Sequence, residues 1–556
     1  MQHINLITRR GFMDRSLKIG LGVALATLTD IPLVLKRALA DGMIGGNGKK
    51  VLFIWLRGAN DGLNSVIPLE DTAYASSRST IEIPRNGLYT TSGGLCNFTP
   101  SGTSNPTFDA NGYAIALNNG FAGLHPSLKF LAPVYNAGEL ALIHRVGYPN
   151  QSRSHFDSQI YWENGTPNNK LVPDGIFYRA MLQAILNQTA VNSGLTGVSI
   201  QSALPLILRG NQAAMTNLTD PTRYNLLGIP NTTDGNTKAD RALKEASDFP
   251  FSSKIARQVI DAQYGNLNTT LQVFASIDFS ETGNTFVDDV VTDGDAPYYL
   301  FPTSSTKNGG GNMNGRVNDS TKYVVDTGAY TTFGNIKAAA LILNKTDAII
   351  AGTEFGGFDT HNAQGGPTGT HANLQRRIAW AMYGLKKFFT KYGKGGSAEM
   401  PGAKVNWNDI VVVTLSEFGR TTKENGSAGS DHAEAGVMFV AGGNIKGYGK
   451  PDPATLVNRT SGVFCCGPDA SESYNGYAVP WNTGTSGTMF YGTNKNYLKR
   501  AVDYRSVLGE IIRDHLGASQ SQLNTIIPGY ANTNERLAGG GAGLDGTTIA
   551  GELNLI

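Results

Sequence analysis

Val51-Leu52-Phe53-Ile54-Trp55-Leu56, followed at once by Arg57-Gly58-Ala59-Asn60-Asp61-Gly62, is the stretch on which the fold turns. Six consecutive apolar residues show no alternation. A strand here must bury both faces, as strands do in a parallel sheet covered by helices. Four more short apolar runs lie at 140–146, 348–351, 410–415 and 437–440. Helical patterns fall between and around them. The segment 374–389 carries apolar residues at 374, 378, 379, 382, 385, 388 and 389, a broad stripe of helical period. The segments 126–135 and 504–516 read the same way. Buried strands alternating with amphipathic helices predict an α/β fold whose mostly parallel central sheet is sandwiched by helices.

The whole chain has 556 residues, 68 of them glycine, and only 16% charged residues. An average chain holds about 7% glycine and about 25% charge. The hydrophobic fraction of 40% is too high for general disorder. A formal charge of +2 gives no bulk attraction to nucleic acid, so no nucleic-acid partner is expected. The chain shows no Walker A loop, no G-x-G-x-x-G after a strand and no G-x-S-x-G, which argues against nucleotide binding and an α/β-hydrolase.

Residues 1–40 read as an export segment. Arg9-Arg10 followed by Gly11-Phe12 is similar to a twin-arginine signal. A short apolar stretch, 19–35, then leads to Ala38-Leu39-Ala40, a small-x-small cleavage pattern. The expectation is cleavage near Ala40, passage through the twin-arginine translocase, and a periplasmic or otherwise exported mature chain. The segment carries Arg9, Arg10, Arg15, Lys18, Lys36 and Arg37 against Asp14 and Asp30, so its removal takes the net charge from +2 to −2. No later stretch is apolar enough to span a bilayer. Residues 41–556 read as one domain with surface insertions near 231–335 and 457–495. A Gly-rich tail, 538–556, is expected to be poorly ordered. In an oxidising compartment Cys96 could pair with Cys465 or Cys466, leaving one thiol over.

Ligands in open α/β sheets bind beyond the carboxyl ends of the strands. Asp61 follows the first apolar run. His155 follows the second, after Ser152-Arg153-Ser154. Asp359 and His361 follow the third, Glu417 and Arg420 the fourth, and Asp431-His432 precede the fifth. Only seven histidines lie beyond residue 40, and three of them sit in these loops. Neutral imidazole with carboxylate is a ligand set for a divalent metal. The spacing of Asp359 and His361 puts both on one side of an extended loop. Each residue taken alone also has a plain structural role. His155 could cap the helix predicted at 155–163, and Glu417 with Arg420 could be a buried ion pair.

Taken in order, several motifs resemble an exported domain-of-unknown-function family, numbered 1501. They are Arg57-Gly58-Ala59-Asn60-Asp61-Gly62-Leu63-Asn64, Tyr148-Pro149-Asn150-Gln151-Ser152-Arg153-Ser154-His155-Phe156, Gly357-Phe358-Asp359-Thr360-His361, and Ser416-Glu417-Phe418-Gly419-Arg420-Thr421 running on to Asp431-His432. Asp503-Tyr504-Arg505 also fits. The family is placed in the alkaline phosphatase and sulfatase superfamily.

The resemblance implies an alkaline-phosphatase-like fold and hydrolysis of a phosphate or sulfate ester, small-molecule or glycan. It implies one or two divalent ions (Zn, Mn, Ca or Mg) held by Asp61, Asp359, His361, Glu417, Asp431 and His432. Ser152, Ser154 or His155 would stand at the nucleophile's place, or a metal-activated water would replace it. Arg153 and Arg420 would neutralise the substrate. No cysteine stands there, so formylglycine chemistry is not expected. Only Thr360 separates Asp359 from His361, and Glu417-Phe418 replaces an Asp-His pair, which Asp431-His432 could supply instead. These departures leave a second expectation, a catalytically inactive envelope protein that binds a glycan or protein partner on the same fold.

Overall fold

The computed structural model describes residues 43–85, 113–117, 119–187, 195–213, 215–220, 297–308, 324–467, 471–480 and 497–556, with a few isolated positions between 238 and 292. The leader at 1–40, Cys96 and most of the 231–335 insertion lie outside the described residues. The run at 51–56 forms β1, Lys50–Leu56, the strand on which both cores meet. Leu52, Ile54 and Leu56 enter one core; Val51, Phe53 and Trp55 enter the other.

The described strands of the same sheet are β2 (Leu140–Gly147), β3 (Gly197–Ile200), β4 (Thr216–Leu218) and β5 (Ile350–Phe355), then β6 (Ile410–Ser416), β7 (Gly436–Ala441), β8 (Val463–Phe464) and β9 (Val502–Asp503). Their order is β8-β2-β7-β6-β1-β5-β3-β4, with β9 also paired to β2. The helices are α1 (His155–Asn164), α2 (Ile176–Leu186), α3 (Tyr330–Lys345), α4 (Thr370–Lys391), α5 (Tyr504–Glu510) and α6 (Gln520–Ile526). The apolar residues of α3 and α4 pack on one face of the sheet. Those of α2, α5 and α6 pack on the other. The protein is therefore mixed α/β with a mostly parallel sheet between helical layers. Among the described residues no helix is long and apolar enough to cross a membrane.

Three expectations change. β5 runs on to Phe355, past the predicted end at 351, because the Thr353 hydroxyl is satisfied inside the sheet by the Ile200 carbonyl. The segment near 126 starts as a 3₁₀ helix, Pro126–Leu131, where the His125 ring accepts from the Ser127 amide. β7 is antiparallel to both neighbours. An antiparallel strand begins where its parallel neighbours end, so Asp431 and His432, just before β7, reach the same edge as residues just after β1, β5 and β6.

The two Gly-rich C-terminal segments are also more structured than their composition implies. Part of 457–495 belongs to the sheet edge, since β8 pairs with β2 and places buried Cys465 and Cys466 beside it. The tail at 538–556 is packed. Ile549, Ala550 and Leu555 are fully buried. Beyond them the Leu553 and Leu555 amides donate to the two carboxyl oxygens of Glu510. Regularly placed apolar residues and one buried acceptor outweigh the glycines.

Burial pushes the Glu510 carboxyl up to about 8, against the pull of those two amides. The folded chain then holds a proton that the unfolded chain releases near the usual pH of about 4.3. This contribution to stability is complete in acid and falls as pH rises toward 8. In thermal melts, wild type is expected to lose stability between pH 5 and 8 relative to Glu510→Gln. A difference that stays constant with pH would contradict this.

Candidate metal centre

The loops that leave β1, β2, β5 and β6, and the one that enters β7, meet at one sheet edge. Two close approaches hold them in register. At Gly58 (φ +106°) a Cβ would lie 2.5 Å from the Asp359 amide nitrogen. At Gly419 it would lie 1.8 Å from the Ala435 carbonyl oxygen. Neither site admits a side chain without moving backbone.

His155, Asp359 and His432 form a candidate metal triad, with ligand atoms all within 4.8 Å of one another. Asp359 Oδ1 lies 3.2 Å from His432 Nε2 and 3.0 Å from His361 Nε2. Asp359 Oδ2 lies 3.4 Å from His155 Nε2. The two nitrogens His361 Nε2 and His432 Nε2 are 2.8 Å apart.

The outer partners decide which way the lone pairs point. His432 Nδ1 faces the Arg153 carbonyl at 2.9 Å, and His361 Nδ1 faces Asp431 Oδ1 at 3.0 Å. A carbonyl and a carboxylate only accept, so each neutral ring carries its proton on Nδ1. Both Nε2 lone pairs then point inward, toward each other and toward the anionic Asp359. Three acceptors this close repel one another unless cations or a shared proton lie among them; Arg420 reaches Asp359 Oδ1 at 2.6 Å and His361 Nε2 at 3.5 Å, and leaves the sides facing His432 and His155 open to a metal. His155 Nε2 is also buried, with no hydrogen-bond partner. The donors thus fit a divalent ion. Phe418 packs against both imidazoles, its ring centroid 4.9 Å from that of His155 and 4.7 Å from that of His432.

Electrostatics follow the geometry. Burial would raise the Asp359 carboxyl, but the Arg420 guanidinium, aided by His432 and His361, holds it down to about 2. Burial, with Arg420 and His155 nearby, lowers the His432 imidazole and keeps it neutral. The Asn425 amide, then His361, lowers the Asp431 carboxyl. Asp431 is therefore ionised and orients His361 from outside. Removing such a partner typically weakens metal binding about 10–100-fold. Asp431→Ala is expected to do so in a metal titration with the fold unchanged, and an unaltered affinity would remove Asp431 from this role.

The remaining predicted residues sit around the triad with other partners. Glu417 is fully buried and accepts from the Gly58 and Ala59 amides and from Gln159 Nε2 at 2.7 Å. Its Oε1 is 3.9 Å from His155 Nδ1. It braces the β1 loop, where Ala59 adopts a left-handed φ of 68°. Asp61 is fully buried beneath the site, bonded to Arg78 Nη1 and Gln364 Nε2 at 2.6 Å each. Burial opposes its charge, but Arg78 outweighs that and lowers its pKa.

Arg420 has no exposed side-chain surface. It donates to the Gly58, Ala59, Phe358 and Ser430 carbonyls and to Asp359 Oδ1 at 2.6 Å. Ser154 caps α1 by accepting from the Asp157 amide, so His155 is the first helical residue rather than the cap. Ser152 Oγ accepts from the Ser154 amide. The Arg153 guanidinium lies over the Tyr497 ring, 4.3 Å from its centroid. Sequence reasoning missed Gln159, Asn425 and the Arg153 carbonyl. Glutamine and asparagine advertise no chemistry of their own, and a main-chain oxygen leaves no trace in a sequence.

The arrangement defines a class, an α/β protein with a histidine-carboxylate centre at the carboxyl edge of its sheet. Residues 313–455 match the family model described as a protein of unknown function, DUF1501. Asp359, His361, Glu417, Arg420, Asp431 and His432 fall inside that span, and His155 and Asp61 outside it. No curated protein and no solved structure matches the chain.

Proposed function

We propose that this chain is an exported, metal-dependent hydrolase of phosphate or sulfate esters, built on an alkaline-phosphatase-like fold. The observation that supports it is the convergence of His155, Asp359 and His432, with His361 Nε2 2.8 Å from His432 Nε2. These four side chains would hold the ion. Three imidazoles with one carboxylate suit a zinc-like ion better than calcium or magnesium, which prefer oxygen. A divalent ion supplies Lewis-acid polarisation of an ester oxygen and a lowered pKa for water.

The chain's own groups do the rest. Asp431 and the Arg153 carbonyl fix the two ring tautomers. Phe418 shields the imidazoles on one side. Arg420 locks Asp359 in place, so its part in this proposal is to brace the site, in place of the substrate clamp expected from sequence. Residues 1–40 act as the twin-arginine leader in this proposal.

One observation favours the alternative, an inactive envelope binding protein. Ser154 Oγ serves as a helix cap and Ser152 Oγ accepts from the next loop amide. With both seryl oxygens engaged by backbone amides, a water is the attacking group in this proposal, and the binding protein has none. The test measures metal content of purified protein by mass spectrometry, then hydrolysis of an aryl phosphate, an aryl phosphodiester and an aryl sulfate after loading with zinc or manganese. About one ion per chain and turnover of one ester support the hydrolase. Metal without turnover supports the binding protein. No metal at all overturns the site.

A further inference from the structure

A cleft of about 510 Å³ opens beside the candidate centre. It is floored by Arg57, Gln159, Glu163, Gln201 and Glu354, and Phe156 and Ile160 with the 204–206 segment form an apolar side. The link to the centre is α1. His155, Gln159 and Glu163 stand four residues apart in succession, so they share one helix face. The first belongs to the metal triad and the other two line the cleft. One helical turn of about 5.4 Å separates the two regions.

The chemistry of the cleft is balanced. Arg57 Nε lies 2.9 Å from Glu354 and its Nη2 lies 3.1 Å from Glu163. With exposed Arg209 at the rim, two guanidinium groups face two carboxylates. No net charge is left to attract an anion. Two polar atoms on lining residues are buried without partners, the donor Arg57 Nη1 and the acceptor Gln201 Oε1. Gln201 itself is 6% exposed. A hydroxyl can satisfy both kinds of atom, since it donates and accepts. Phe156 is 81% exposed although it is a large apolar ring. A ligand with hydroxyls at its edge and carbon–hydrogen bonds on its flat face matches both features.

We propose that this cleft binds a neutral sugar ring, with Phe156 against its face and Arg57 and Gln201 on its hydroxyls. Where the ester-hydrolase reading holds, the sugar is the part of the substrate next to the ester. The sugar site does not itself depend on that reading.

The experiment is saturation-transfer NMR and calorimetry on the full chain, with the methyl glycosides of glucose, galactose, mannose and N-acetylglucosamine as probes. At least one is expected to bind. Phe156→Ala, a change at an exposed position, is expected to weaken it about tenfold or more, and Gln201→Ala by a similar factor. Asp359→Asn is expected to leave sugar binding within about twofold while removing the metal. If none of the four glycosides binds, or if Phe156→Ala binds as wild type does, the sugar site is overturned. Metal content and aryl ester turnover then still report separately on the hydrolase.

Discussion

Asp359→Asn is expected to lose its metal and stay folded. Asp359 is in contact with every other member of the cluster. Its oxygens lie 3.0–3.4 Å from His155, His361 and His432. The amide keeps the size and one acceptor oxygen for Arg420, so the loop has no cause to move. Its side chain is 46% exposed and the buried Arg420 keeps its four carbonyl partners, so the loss of stability should be smaller than that of removing Arg420 itself. The change removes the one carboxylate that faces the Nε2 atoms of all three imidazoles among the described residues. Loss of an outer partner already weakens a metal site about 10–100-fold, so loss of this ligand should exceed 100-fold. Metal content beside a melting curve checks both halves. A variant that retains about one ion per chain would falsify the assignment of Asp359 as a ligand.

Arg420→Ala is expected to act in the opposite way, through the fold. The guanidinium is buried and joins four carbonyls from three loops to Asp359. Without it, those carbonyls face a void. A buried unsatisfied polar group costs about 1–3 kcal/mol, and water entering the gap recovers part of that. A net loss of about 3–5 kcal/mol in denaturant titration is the expected result, in line with breaking a buried charge network. Arg420→Lys should recover little, since an ammonium offers three donors where five acceptors stand. A stability within about 1 kcal/mol of wild type, with a raised KM for an ester, would instead make Arg420 a substrate clamp.

These residues also show what a sequence can disclose. The strands β1, β2, β6 and β7 were legible because continuous apolar runs have few other uses. β3 and β4 were not, being short and partly polar. The direction of β7 was also hidden, since an apolar run looks the same in either orientation. At the site, histidine and aspartate beside strand ends marked Asp359, His361, His432 and His155 correctly as neighbours. The same logic grouped Asp61 and Glu417 with them. It could not know that Arg78 and Gln364 bond one oxygen of the first and leave its Oδ1 without a hydrogen-bond partner, or that the β1 loop amides and Gln159 bond the second. Charged side chains of one type serve as ligands or as braces, and only their partners separate the two.

The placement of β1 has a consequence for how the chain is made. Its partners are β5 and β6, with Val51 beside Ile350 and Val411. Some 300 residues must therefore leave the ribosome before the run from Val51 to Leu56 finds either neighbour. Contacts this distant in sequence form slowly, and an unpaired apolar strand is open to aggregation meanwhile. The nascent protein is accordingly expected to be a client of a holding chaperone from its first strand until its sixth.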